Sequence, residues 1–147
     1  MLNVKRTTAY DVTKVFSKAE YVTEDLTLPY CIYIPKNYDC GETYPLLVFL
    51  HGAGERGNDN HLHLTVALQK MFDDPTSPVY DSIVIVPQCP LDEQWVNVPF
   101  DCGNYSIAET PESVWLEAVC GIMKDAISSY NIDRDRIYVT GISMGGY

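Results

Sequence analysis

The sequence has no long apolar run. Its longest unbroken aliphatic and aromatic stretch is Leu46 to Leu50, far short of the roughly 20 residues a membrane-spanning helix needs. Cations are scarce: ten Lys and Arg stand against twenty Asp and Glu, a net charge of −10. A polyanion is repelled over most of such a surface, so neither nucleic acid nor an anionic membrane is an expected partner. No C-x-x-C pair occurs among Cys31, Cys40, Cys89, Cys102 and Cys120, which argues against a zinc or dithiol site and for reduced thiols. Lys5 and Arg6 near the amino terminus have no apolar segment behind them. No secretory signal is read there, and a cytoplasmic location is expected.

The chain has 147 residues, of which 46% are hydrophobic and 20% charged, the size and composition of one globular domain with a core of its own. Lys5 to Val22 suggests one or two edge strands, and Leu26 to Pro35 is rich in β-formers, with Pro29 placing its early part near an edge. Tyr44 to Leu50 and Asp81 to Cys89 are apolar runs of strand length, the pattern of strands covered on both faces. Between them lie a glycine-rich segment, His51 to Asn60, and a stretch from His61 to Phe72 with Leu62, Val66, Leu68 and Met71 at near-helical spacing. Together these make a βαβ unit.

Leu91 to Glu109 shows neither period and is long for a connection, so it reads as a lid or pocket wall. Trp95 and Tyr105 within it either line a substrate pocket or pin the loop to the core. Thr110-Pro111-Glu112 offers an N-cap, a proline at the first helical position and an acid in the first turn. Trp115, Val119, Ile122, Met123, Ala126 and Tyr130 then recur on one face. After the charged link Asp133 to Arg136, Ile137 to Thr140 is the next strand. It runs directly into Gly141-Ile142-Ser143-Met144-Gly145.

That pentapeptide fits G-x-S-x-G directly after a strand, the context in which it means a nucleophile elbow. A serine in a tight strand-to-helix turn needs small residues two positions before and two after, where the chain passes itself closely. Gly141 and Gly145 satisfy that need. The same turn aims backbone N–H groups at a developing oxyanion, with Met144 as the natural first donor. A second donor is expected from the loop after an earlier strand, and His51-Gly52-Ala53-Gly54 occupies that place. Ala53 is assigned, with Gly52 or Gly54 as alternatives. His61 and His63, two positions apart on a helix, face different directions and do not form a metal pair.

Three segments carry a family resemblance: Tyr44-Pro-Leu-Leu-Val-Phe-Leu-His-Gly-Ala-Gly-Glu-Arg-Gly57, Ile85-Val-Pro-Gln-Cys-Pro90 and Asp133-Arg-Asp-Arg-Ile-Tyr-Val-Thr-Gly-Ile-Ser-Met-Gly-Gly-Tyr147. They resemble the α/β-hydrolase superfamily, in its esterase and predicted-peptidase branch near the polyhydroxybutyrate depolymerases and feruloyl esterases. The resemblance implies an α/β fold, a mainly parallel sheet with flanking helices. It also implies a cofactor-free hydrolase of small-molecule carboxylic esters in which Ser143 attacks the acyl carbon, a histidine takes its proton and an acid orients that histidine.

In that family the acid and the histidine follow the serine, whereas here only Met144, Gly145, Gly146 and Tyr147 do. Residues 1–147 are therefore expected to form the N-terminal portion of a single α/β-hydrolase domain, cut after the nucleophile strand and inactive alone. His51 is expected to hold the oxyanion turn. Glu55 and Arg56 either fix that turn or form a solvated pair. Three alternatives stay open: a serine peptidase of the same fold, a non-catalytic half-domain that self-associates through an exposed sheet edge, and a chain completed by a second polypeptide.

Overall fold

The computed structural model describes residues 11–147 except 65, 100 and 101. The portion of the first expected strand region before residue 11 lies outside the described residues, as does the side chain of Val66. Among the described residues five strands form one sheet: β1 (Ser17–Val22), β2 (Thr27–Tyr33), β3 (Tyr44–Leu50), β4 (Ile83–Pro87) and β5 (Ile132–Gly141). Their spatial order is β1-β2-β4-β3-β5. The sheet is mixed. β4, β3 and β5 pair in parallel, as the apolar runs of β3 and β4 predict for those two, while β2 is antiparallel to both of its neighbours.

Alternation along the strands separates two cores. Leu28 and Ile32 of β2, Leu46, Val48 and Leu50 of β3, and Ile83 and Ile85 of β4 share one cluster with Trp95, Val119, Ile122 and Met144. Cys31 and Tyr33, Phe49, and Val84 and Val86 point the other way, into a cluster with Val12, Phe16, Leu64, Leu68 and Phe72. A period of two on strands covered on both faces gives this division. Helix α2 (Val114–Ser129) covers the first face through Ala118, Val119, Ile122 and Ala126. Helix α1 (Val66–Asp73) and a 3-10 turn at Leu62–Leu64 cover the second. Each fully buried Leu, Ile or Phe contributes about 1.5–3 kcal/mol relative to exposure, so these two faces supply most of the apolar driving force.

Three expectations are corrected. The helix expected over 61–72 splits into the 3-10 turn and α1, and its buried stripe is Leu64, Leu68 and Phe72, while Leu62 is 39% exposed. Spacing of four, not six, brings side chains onto one helical face. The start of α2 lies three residues later than the Thr110-Pro111 signal: Ser113 is the N-cap, its Oγ accepting from Leu116 N at 3.1 Å and donating to the Trp95 carbonyl. A buried hydroxyl that satisfies the helix end and the neighbouring loop together outweighs the local proline preference. The charged link Asp133 to Arg136 is taken into β5 as an irregularity. The register steps there from Tyr44–Ile132 to Leu46–Ile137, and Asp133 Oδ2 holds Arg136 Nε at 2.6 Å. No described helix is long and apolar enough to cross a membrane.

Candidate active site

Parallel strands end at the same edge of a sheet, so the loops after β3, β4 and β5 meet there. β5 ends at Gly141, Ile142 N–H donates to the Leu50 carbonyl at 3.1 Å, and Ser143–Gly146 forms a 3-10 turn. Ser143 is exposed and its φ is +53°, a left-handed conformation that costs a non-glycine residue of order 1–3 kcal/mol. The neighbouring glycines are required by space. A Cβ at Gly141 would stand 2.0 Å from the Gly145 carbonyl oxygen, and one at Gly145 would stand 2.1 Å from the Leu50 oxygen. Both obstacles are backbone, which cannot swing aside. Met144, fully buried in the first core, pins the turn from below.

The facing turn follows β3. Gly52 is extended, and Ala53–Glu55 forms a 3-10 turn closed by Glu55 N–H on the Gly52 carbonyl at 3.1 Å. A Cβ at Gly52 would lie 3.3 Å from Ser143 Cβ, so the two turns are in contact. Met144 is the second residue of its turn and Ala53 the first of its own, positions whose N–H groups have no acceptor within the turn. Gly52 N–H is already committed to Glu55 Oε2 at 2.9 Å, which removes it as an alternative to Ala53.

His51 has no exposed surface. Its Nδ1 lies 2.7 Å from the Gly52 carbonyl and its Nε2 accepts from Cys89 N–H at 2.9 Å, an arrangement that assigns the proton to Nδ1. Burial pushes its pKa down to about 4. His63 packs behind it, ring centroids 6.0 Å apart, with Nε2 on the Val86 carbonyl at 3.0 Å and Nδ1 buried without a hydrogen-bond partner. Burial first, and His51 second, lower its pKa to about 4 as well. His61 is exposed while His63 is buried, the divergence their spacing predicts.

Trp95 is 1% exposed, donates its indole N–H to the His51 carbonyl at 3.1 Å and meets the His51 ring edge-on at 5.3 Å. The structure therefore gives Trp95 to the support of the His51 turn and not to a pocket wall. An indole N–H needs a partner when buried, and the His51 carbonyl supplies it. Tyr105 is 43% exposed and lines, with Asn104, Gly146 and Tyr147, an open cavity of about 400 Å³ beside the elbow. A larger groove of about 740 Å³ lies at the other end of the sheet, between Tyr44, Leu47, Met71, Val79 and Tyr138. None of its lining residues belongs to either turn.

Arg56 Nε donates to the Ala53 carbonyl at 2.9 Å and its Nη1 to the Glu93 carbonyl at 3.1 Å. Glu55 and Arg56 thus act separately on the turn. They are not a surface ion pair. Gln88 and Asn60, to which the sequence assigns no role, are buried beside them. The one sequence signal pointing there is the Ile85-Val-Pro-Gln-Cys-Pro90 segment itself.

This architecture is that of the α/β-hydrolases, the superfamily the sequence motifs resemble. A thermostable esterase matches at 33% identity and a TM-score of 0.75 over 91% of this chain and 36% of its own. A poly(3-hydroxybutyrate) depolymerase from Bordetella parapertussis matches at 17% and 0.56, covering 88% of this chain and 43% of its own. An acylaminoacyl peptidase from Pyrococcus horikoshii matches at 18% and 0.56, covering 90% and 20%. Feruloyl and acetyl xylan esterases share the same fold. No protein-family profile and no curated protein matches the chain. The chain spans about a third of the length of the thermostable esterase, 36%.

Proposed function

We propose that Ser143 is the nucleophile of a serine hydrolase acting on carboxylic esters, with the backbone N–H groups of Met144 and Ala53 as its oxyanion hole. The observation that carries this reading is the φ of +53° at Ser143, held between two glycines whose Cβ positions are filled by backbone. Strain of this kind persists only where the surroundings over-determine it, and it presents Oγ at the tip of the turn.

In the reaction Oγ attacks the acyl carbon as a base takes its proton. The carbonyl oxygen becomes anionic between the two N–H donors, the alcohol departs with a proton, and water releases the acid. No metal or cofactor enters. Neither His51 nor His63 is free to act as that base: both His51 nitrogens are committed, and the one unpaired nitrogen of His63 is buried. All five cysteines are free, which suits a cytoplasmic setting. Expressing the full-length protein and comparing p-nitrophenyl esters with matched anilides tests the reaction. Ester turnover lost in Ser143→Ala supports the reading, and faster anilide than ester cleavage points instead to a peptidase.

One observation favours a second reading, self-association across β5. Among the described residues that strand pairs only with β3, and Tyr138, Val139 and Ile142 are 53%, 60% and 47% exposed. An apolar edge of this kind is a template for a further strand. Sedimentation of residues 1–147 tests it: a dimer is expected, and a monomer at high micromolar concentration ends the idea.

A further inference from the structure

Gln88, the first residue beyond β4, is fully buried, yet the reaction above makes no use of it. Its backbone N–H donates to the Pro29 carbonyl at 2.8 Å. Its side-chain oxygen accepts from Asn60 N–H at 2.7 Å, and its side-chain nitrogen donates to Asp59 Oδ1 at 2.9 Å and to the Glu55 carbonyl at 3.2 Å. One N–H donor on one side and two acceptors on the other fix the amide orientation, since a flipped amide would oppose like groups at every contact.

These bonds converge on the turn that carries Ala53. Glu55, whose carbonyl Gln88 holds, uses its own carboxylate to hold Gly52 N–H. Cys89, the next residue, gives its N–H to His51 Nε2 and accepts Gly57 N–H at 2.9 Å. A Cβ at Gly57 would lie 3.2 Å from Gln88 Nε2, so the loop closes tightly over the amide. Asn60, in the left-handed region at φ +51°, ties the far end of the loop to the Ala19 and Tyr30 carbonyls at 2.9 and 3.0 Å. The loop is thus braced against β1, β2 and the end of β4 at once.

We propose that Gln88 is a positioning residue of the oxyanion turn, acting through Glu55 and Gly52 to keep the Ala53 N–H on the site where the oxyanion develops. This rests on the reading of Ala53 as an oxyanion donor. A buried amide held by three partners is rigid, and a preorganised donor contributes most when it need not move during the reaction. Asp59 suits its part: hydrogen bonds from Leu62 and His61 N–H and from Gln88 keep its carboxyl ionised down to about pH 2, so it remains an acceptor throughout the working range.

The test uses the full-length enzyme and Gln88→Met, a near-isosteric change that removes all three side-chain bonds. Hydrogen exchange is followed by mass spectrometry together with ester kinetics. Exchange over residues 52–60 should rise while α2 keeps its protection, and kcat should fall roughly 10- to 100-fold with KM within about two-fold, a fraction of the loss from deleting an oxyanion donor. Asp59→Ala, at an exposed position, removes one of the three side-chain partners of Gln88 together with the acceptor of His61 and Leu62 N–H; it should shift both readouts in the same direction by less, and it serves if Gln88→Met does not fold. Unchanged exchange over 52–60 in the folded variant overturns the proposal. So does raised exchange with unchanged kcat, or a loss carried by KM alone. If Ser143→Ala hydrolyses esters as fast as the parent, the nucleophile assignment fails separately, and the exchange data still decide what Gln88 holds.

Discussion

The two turns that meet at Ser143 are built by opposite means. The turn after β3 is held by what its side chains reach: His51, Glu55 and Arg56 all bond to backbone within it or beside it. The turn after β5 is held by what its side chains lack, because Gly141 and Gly145 pass within van der Waals contact of other backbone. A hydrogen-bonded turn weakens in steps as bonds are removed. A turn closed by missing volume fails at once when volume is added. The site therefore combines one half that tolerates partial damage with one that does not.

Mutations separate the halves. Ser143→Ala should cost roughly 10⁴-fold or more in kcat with the fold intact, and Ser143→Gly should be as inactive yet more stable by about 1 kcal/mol as the strain at φ +53° is released. A lower melting temperature for the glycine variant would contradict the strain. Gly145→Ala should destabilise by more than about 3 kcal/mol, beyond the usual range for overpacking because the obstacle is backbone. Soluble, active protein with a parental melting curve would break the comparison.

On the bonded side, Arg56→Ala removes two bonds to carbonyls and should lower kcat only about 10-fold. Unchanged kinetics would remove Arg56 from the account. A further effect is expected on the pH dependence of stability. His51 and His63 have folded pKa values of about 4 against an ordinary 6.5, so the unfolded chain binds more protons between these values. Their contribution to stability is whole above pH 6.5 and is lost as pH falls toward 4. His63→Leu should flatten that slope in thermal melts, and an equally steep slope would assign it to other groups.

Much of this architecture is legible in the sequence. Tyr44–Leu50 reads directly as a strand, and the Gly141–Gly145 spacing predicts the strained serine because its requirement is local. The start of α2 is misread since Ser113 caps it through a contact with Trp95 eighteen positions away in sequence, which no local pattern encodes. For Trp95 the sequence leaves pocket wall and core anchor open, because the partner that decides between them is a carbonyl in a distant loop. Gln88 carries no periodic or charge signal. Only the folded chain shows three bonds converging on it.

The central claim is that Ser143 is the nucleophile, and the most direct measurement is fluorophosphonate labelling of the full-length protein followed by peptide mass mapping. The account predicts one adduct, on Ser143, absent from Ser143→Ala. An adduct on another serine, or ester hydrolysis that persists with Ser143 unlabelled, would contradict it.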